Sequence, residues 1–178
     1  MLVTFLRRLA GAAILDAGTY EEVEGDRGAM PQALAVVLLS SVSAGIGLSG
    51  GRGAAATFSF FAVASFLALT AWGTFALIAF QVGSRLLPMP GTRTDPGELL
   101  RTLGFAAAPG LIQMFALFTP APIVLSVLAF AWTIAASVVA VRQALDFTST
   151  RRAFAVCLVA WGLPLAIAVS LAVAVSGA

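Results

Sequence analysis

The chain is 178 residues long, with 60% hydrophobic and only 10% charged residues and a mean hydropathy of +1.01. Soluble globular domains are about 25% charged, so this composition excludes a water-soluble fold. All the basic residues are arginine, and the net charge of +2 is too small for nucleic acid to be an expected partner.

Five stretches are long and apolar enough to cross a bilayer as helices. Such a helix needs about 20 residues, because the hydrocarbon core is about 30 Å thick. The stretches lie near residues 32–50, 57–83, 101–118, 122–144 and 152–176. We therefore predict an all-α, polytopic membrane protein. Residues 1–30 form interfacial and cytoplasmic helices, and residues 31–178 form one five-helix transmembrane domain.

The first residues predict an amphipathic helix that lies on the membrane surface. Arg7 and Arg8 lie off an apolar stripe of helical spacing, as such a helix requires. The stripe consists of Leu2, Phe5, Leu6, Leu9 and Ala13. A signal peptide is the alternative, but the apolar stretch after Arg8 is short, ends in Asp16 and offers no convincing cleavage site.

Capping motifs predict where two further helices begin. Thr19 and Glu22 have the spacing of a capping box and predict a short acidic helix before the first span. Asp95-Pro96-Gly97-Glu98 predicts that the third spanning helix starts before the membrane. The connections at residues 50–53, 119–122 and 146–149 are short, so neighbouring spans should be antiparallel hairpins.

The charges predict the orientation in the membrane. With the N-terminus inside, nine of the ten arginines and all eight acidic residues face the cytoplasm. Arginine flanking a span stays preferentially on the cytoplasmic side. We therefore expect a cytoplasmic N-terminus and, with five spans, an external C-terminus.

The residues that are absent restrict the chemistry. The chain has no histidine, which excludes histidine-ligated haem or zinc and histidine base catalysis. Cys157 is the single cysteine and lies within the fifth span. No Gly-rich phosphate loop or serine elbow is present. We predict a protein that is not an enzyme and has no catalytic, cofactor-binding or metal-binding residues.

Small residues and prolines within the spans allow two interpretations each. Small residues permit close helix packing, either within the bundle or in an oligomer. They are Ser41, Ser43, Gly45, Gly47 and Gly51 for the first span and Ala160, Pro164, Ala168 and Ala172 for the fifth. Pro109-Gly110 and Pro164 interrupt their helices, and such a break forms either a structural kink or a binding site, as in transporters.

Three local motifs, taken together with five spans, resemble bacterial members of the Yip1 family. The first is Arg142-Gln-Ala-Leu-Asp-Phe147 followed by Arg151-Arg152-Ala153. The second runs from Leu15-Asp16 through Tyr20 to Glu24 and leads into Gln32-Ala33-Leu34. The third is Arg101-x-Leu-Gly-Phe105 followed by Pro109-Gly110.

The resemblance implies a five-span membrane protein with a cytoplasmic N-terminus. Eukaryotic members of the family act in vesicle traffic and contact small GTPases of the Rab class. The arginine-only, histidine-free composition indicates a GC-rich bacterium, in which no Rab machinery is expected. We therefore expect the bacterial cytoplasmic (inner) membrane.

Two functions from different classes follow. The first is a non-enzymatic scaffold or accessory subunit that docks another membrane protein, or a second copy of the chain, through its cytoplasmic face. Its candidate docking residues are Glu21, Glu22, Asp26, Arg101, Arg142 and Asp146. For Arg142 and Asp146 the alternative is a simple salt bridge at the helix end. The second function is a small-solute or lipid transporter that uses the break at Pro109-Gly110.

Overall fold

The computed structural model describes residues 1–49, 54–88 and 94–176, and within these ranges it contains helices and no β-strand. The all-α prediction is thus confirmed. Seven α-helices are described: α1 (Leu2–Ala13), α2 (Ala17–Gly25), α3 (Met30–Ser49), α4 (Ala54–Gln81), α5 (Pro96–Phe105), α6 (Pro122–Ala144) and α7 (Thr150–Ser176). Three further helical segments are not α-helical. Two are 3-10 helices, wound more tightly than an α-helix, at Arg27–Ala29 and Ala108–Phe118; the third is a wider π-helical turn at Val82–Leu86.

Five segments of the described chain are long and apolar enough to cross a membrane. They are Arg27–Gly47, Phe61–Leu86, Pro96–Phe118, Pro122–Ala144 and Thr150–Ile167. The five predicted spans are therefore confirmed, with boundaries that shift by several residues. The predicted tight loop at residues 50–53 lies outside the described residues.

The third span is not one α-helix. The α-helix α5 ends at Phe105, and after a turn the chain continues as an 11-residue 3-10 helix. Pro109 occupies an early position of that helix, where its missing N–H removes no α-helical bond. Gly110 N donates to the carbonyl of Ala107 at 2.9 Å, which is the tighter 3-10 spacing.

The break is filled by packing against α3. Ala108, Pro109 and Gly110 are all buried, and a Cβ added to Gly110 would overlap the Ser40 side chain. Residues of α3 thus occupy the space beside the break.

The fifth span differs from the sequence prediction at Pro164. The prediction placed a helix break there, but α7 continues through Pro164. Proline inside a membrane helix removes a single backbone bond, and the turns on either side can hold the helix together. The interruption predicted at this position is therefore absent.

Small residues of α3 serve contacts within the chain. A Cβ on Gly104 of α5 would come within 3.0 Å of the Ala33 backbone, so only glycine permits this approach of α5 to α3. Ser41 is buried and its hydroxyl lies 3.1 Å from that of Ser65 on α4. Among the small residues identified from the sequence, Ser41 thus takes part in close packing inside the bundle, one of the two interpretations.

The capping predictions have different outcomes. The box at the start of α5 is confirmed: the Asp95 carboxylate accepts from Glu98 N at 3.1 Å, and the Glu98 carboxylate accepts from Asp95 N at 3.0 Å. The box at Thr19 is wrong, because α2 starts earlier. Asp16 caps α2 by accepting from Thr19 N at 3.0 Å and from the Thr19 hydroxyl at 2.6 Å.

One end of the bundle, which we call the charged end, carries α1, α2 and the turn between α6 and α7. Helix α2 packs against α5 and α6 there. The buried core continues from α1 and α2 into the spanning helices, through Ala12, Tyr20, Val23, Leu99 and Leu145. The N-terminal helices therefore share a hydrophobic core with the transmembrane bundle.

Candidate docking site at the charged end

Arg101 of α5 fixes the C-terminal end of α2. Its side chain is 5% exposed, and its Nε donates to the carbonyls of Val23 at 3.2 Å and Glu24 at 3.1 Å, while Nη2 also bonds to Glu24 O. The last carbonyls of a helix have no intrahelical donor, and a cation there also complements the helix dipole. Arg101 is therefore a structural anchor for α2.

A second anchor joins α2 to α1. Tyr20 is fully buried, and its hydroxyl donates to the carbonyl of Ala12 near the end of α1 at 3.0 Å. Burial raises the pKa of this phenol well above its usual value. Tyr20 is thus a neutral hydrogen-bond donor that holds the two N-terminal helices together.

Arg8 forms the centre of a polar cluster beside these anchors. Its side chain is 7% exposed and donates to Glu22 at 3.0 Å, Gln32 at 3.1 Å and Asp26 at 2.7 Å. Arg7, which is 59% exposed, also pairs with Glu22 at 2.6 Å. The hydrogen bonds from these arginines lower the pKa values of Glu22 and Asp26. The cluster ties α1 to α2 and to the start of α3.

The Arg8 cluster corrects the prediction for α1. The helix and its apolar face are present, but Arg8, predicted to lie away from the buried side, is itself buried. Phe5 packs against the bundle with its ring 6.4 Å from that of Phe105. Leu2 and Leu6 are 69% and 52% exposed, so this part of the stripe does not pack against the bundle.

The turn after α6 is a Schellman motif. Asp146 has a φ of 52°, Asp146 N donates to Gln143 O, and Phe147 N donates to Arg142 O, both at 2.9 Å. The Arg142 Nε donates to the carbonyl of Phe147 at 3.2 Å. None of the three ion pairs among the described residues joins Arg142 to Asp146, so the structure does not contain the helix-end salt bridge that was the alternative interpretation of these two residues.

A polar cleft of about 510 Å³ lies between α2 and this turn. Its walls combine acidic side chains with one arginine and with backbone-rich turn residues. The lining residues are Glu21, Glu24, Gly25, Arg142, Gln143, Asp146, Phe147 and Thr148. The cleft is therefore bounded by three carboxylates and a single guanidinium.

Glu24 is the most perturbed acid of the cleft. Burial, followed by the charges of Asp146, Glu98 and Glu21, raises its pKa to about 7, against a smaller opposing effect of Arg101. The net charge of the cleft consequently changes near neutral pH.

The structure places the six predicted docking residues in three different settings. Glu21, Arg142 and Asp146 lie together in the cleft. Glu22 and Asp26 pair with Arg7 and Arg8 on the other side of α2. Arg101 is buried beneath α2 and is not available to a partner, because its burial completes the end of that helix.

Arg8, Gln32 and Glu24 were not among the candidate site residues chosen from the sequence. A polar residue in the first turn of a spanning helix, as at Gln32, was a usable signal, because such a residue needs a partner in or near the membrane. Glu24 carried no local signal, since its environment is made by residues far away in sequence. Among the described residues, no group of three or more histidine, cysteine or acidic side chains is arranged to hold a metal ion.

The fold and the location of its charges define a class: an all-helical, multi-pass membrane protein whose N-terminal helices pack on one end of the bundle. Within this class, the family model for the Yip1 domain matches residues 16–172, so the chain belongs to the Yip1 family. The family is in general a non-catalytic one. No curated protein and no solved structure matches the chain.

The family match begins at the cap of α2. The first matched residue is Asp16. Its backbone N–H bonds to the Gly11 carbonyl near the end of α1, and it is the N-cap residue of α2. In the described chain, only two residues other than glycine have a positive φ: Leu15 at 62° and Asp146 at 52°. Each belongs to one of the motifs on which the family resemblance was based. Each closes a helix by the same arrangement of bonds, and these motifs therefore include backbone turns as well as surface charges.

Proposed function

We propose that this chain is a non-enzymatic membrane scaffold or accessory subunit that docks a partner in the cleft between α2 and the α6–α7 turn. The observation that carries the proposal is the cleft itself. Three of the six residues selected from sequence, Glu21, Arg142 and Asp146, line it although they come from distant parts of the chain.

The charge of the cleft defines the chemistry of the partner. Glu21, Glu24 and Asp146 oppose only Arg142, and the Arg142 Nε is already bonded to the Phe147 carbonyl. A segment with an exposed lysine or arginine complements this surface. The partner is therefore expected to present a basic side chain, on another membrane protein or on a second copy of this chain.

The proposed location is the cytoplasmic membrane of a bacterium, with the charged end in the cytoplasm. The distribution of arginine supports this orientation, since nine of the ten lie on the N-terminal side of the membrane in the five-span topology. The cleft then faces the cytoplasm, where soluble segments of other membrane proteins are accessible.

Site-specific photocrosslinking in the native membrane tests the docking proposal. A benzophenone amino acid at Gln143, inside the cleft, should give a defined protein adduct. The same amino acid at Arg27, exposed at the same end but outside the cleft, is the matched control and should not give it.

Neutralising the cleft should remove the adduct. The double change Glu21→Gln and Asp146→Asn deletes two charges, and asparagine keeps the positive φ accessible at position 146. An adduct that survives this double change at full yield, or that forms equally from position 27, would show that the cleft is not the docking site.

A further inference from the structure

An apolar groove of about 180 Å³ runs along the outside of the bundle between α6 and α7. Its floor consists of Ser137 and Cys157, which are 7% and 6% exposed. The Cys157 thiol donates to the Ser137 carbonyl at 3.8 Å and holds the two helices close together. The walls are larger side chains: Ile134, Phe154, Leu158 and Trp161.

Aromatic contacts fix the deep end of the groove. The Trp161 ring packs edge-on against Phe75, with a centroid distance of 5.7 Å, and lies tilted against Phe130, with a centroid distance of 5.4 Å. Phe154 and Leu158, on α7 like Trp161, remain 47% and 58% exposed. The groove is thus open towards the surrounding lipid and preformed on the protein side.

An arginine stands at the mouth of this groove. Arg151 is seven residues before Leu158, two helical turns, and therefore on the same face of α7. It is exposed, and its side chain has no hydrogen-bond or ion-pair partner within the part of the chain that the structure describes. Arg152 lies about 100° further round the helix, away from the groove.

We propose that this groove binds an anionic phospholipid of the leaflet on the charged side, with the phosphate on Arg151 and one acyl chain between α6 and α7. The depth fits. Phe154 lies about 4.5 Å below Arg151 along the helix axis, which is comparable to the roughly 5 to 7 Å of headgroup region at each bilayer face. The apolar lining then extends about 10 Å further, from Phe154 to Trp161, within the hydrocarbon region.

Charge complementarity selects the anionic lipid. A zwitterionic lipid can fill the same groove, but its headgroup carries a cation that offsets the attraction of its phosphate to Arg151. A single arginine close to an anionic surface favours binding by about five-fold. The inference is independent of the docking proposal, because the groove and the cleft share no lining residue.

Quenching of Trp161 by brominated lipid tests the proposal with the full chain in phosphatidylcholine vesicles. The Trp132→Phe variant is titrated with phosphatidylglycerol or with phosphatidylcholine, each brominated midway along the acyl chains. The signal of a matched Trp132→Phe, Trp161→Phe variant is subtracted to isolate Trp161. Brominated phosphatidylglycerol should quench at an about five-fold lower mole fraction than brominated phosphatidylcholine.

The arginine variants decide whether the site is the one described. Arg151→Gln should abolish the preference, Arg151→Lys should retain it, and Arg152→Gln should leave it unchanged. Native mass spectrometry of the chain with its original tryptophans should show the same order in the number of bound phosphatidylglycerol molecules. Equal quenching by the two lipids, or equal losses for Arg151→Gln and Arg152→Gln, would overturn the proposal.

Discussion

Asp146 has a backbone role that its charge does not reveal. Its φ of 52° lies in the left-handed region, which L-residues with a Cβ adopt at a cost and which asparagine and aspartate tolerate best. The helix α6 uses this conformation to bond its last carbonyls to Asp146 N and Phe147 N. Aspartate therefore suits the backbone geometry at this position, and its side chain also lines the cleft.

Substitutions at Asp146 should separate these two roles. Asp146→Ala should lower the free energy of unfolding by about 1 kcal/mol. The left-handed conformation is unfavourable for alanine, which has no polar side chain to form a compensating local hydrogen bond. Asp146→Asn should be nearly neutral. Thermal unfolding in detergent measures both, and equal stability of the alanine and asparagine variants would contradict the backbone role.

Glu24 should make stability depend on pH. Its pKa is raised to about 7 in the folded chain, from an ordinary value of 4.5. The folded state therefore binds this proton more tightly than the unfolded state does. The stabilisation is complete below the ordinary pKa and is lost as the pH rises from 4.5 through 7.

Glu24→Gln should remove this loss. At pH 8 the variant should exceed the parent in free energy of unfolding by an amount on the order of 1 kcal/mol, allowing for solvent screening at a half-buried site. At pH 4 to 5 the advantage should largely disappear. Unfolding temperatures of both proteins across this range are the measurement, and a constant difference would show that Glu24 does not titrate as described.

At the scale of elements, the neighbouring residues Arg7 and Arg8 of α1 differ in the segments of the chain to which they bond. Arg8 is buried and bonds to residues of α2, of the turn after it and of α3, whereas Arg7 is largely exposed and pairs with Glu22 of α2. Removing one member of a buried network leaves its partners without hydrogen bonds, which is costly. An exposed ion pair contributes less than about 1 kcal/mol to stability.

Alanine at these neighbouring positions provides a matched comparison. Arg8→Ala should destabilise the protein by about 2 to 3 kcal/mol, with Glu22 and Asp26 still partly solvated. Arg7→Ala should cost about 0.5 kcal/mol. Unfolding in detergent and protease cleavage within α1 report on both. Similar effects of the two changes would mean that Arg8 does not join the helices.

The contact of α3 with α5 depends on one glycine. Gly104→Ala should destabilise the bundle by about 1 to 3 kcal/mol, because the Ala33 backbone cannot move aside as a side chain can. Gly73→Ala on α4 is the control, since nothing lies within 4 Å of its added Cβ. The control should be neutral or slightly stabilising, as alanine favours helix over glycine. Equal loss in both variants would contradict the close contact.

At the scale of the whole molecule, the orientation is the property to measure. In a Cys157→Ala background, cysteine is placed at Ser49, near the far end of α3, or at Thr94, before α5. With the charged end in the cytoplasm, an impermeant thiol reagent added to intact cells should label position 49 only. Labelling of position 94 alone would reverse the proposed topology.

Several elements followed from local sequence. Span length, the box at Asp95 and the short acidic helix depend on neighbouring residues, so hydropathy and capping residues were sufficient to predict them. The cap at Thr19 was assigned wrongly because two residues that can cap, Asp16 and Thr19, stand three positions apart. Asp16 is used, since the α1 cap places it at the start of α2.

The candidate site was only half predictable. The acidic segment indicated Glu21, and the motif after the fourth span indicated Arg142 and Asp146; the structure brings all three into one cleft. It could not distinguish them from Arg101, which is equally charged but buried against the carbonyls of Val23 and Glu24. That difference depends on which residue lies opposite across the helix contact, and 77 positions separate Arg101 from Glu24 in the chain.

The sequence by itself determined that the chain is a helical membrane protein with five spans, because hydrophobicity over about 20 residues is a sum over neighbours and needs no tertiary contact. The tertiary structure alone decided the burial of Arg8, the packing at Gly104 and the shifted pKa of Glu24. These properties depend on distances between residues of different helices. Such distances are set by how the side chains of the whole bundle fit together.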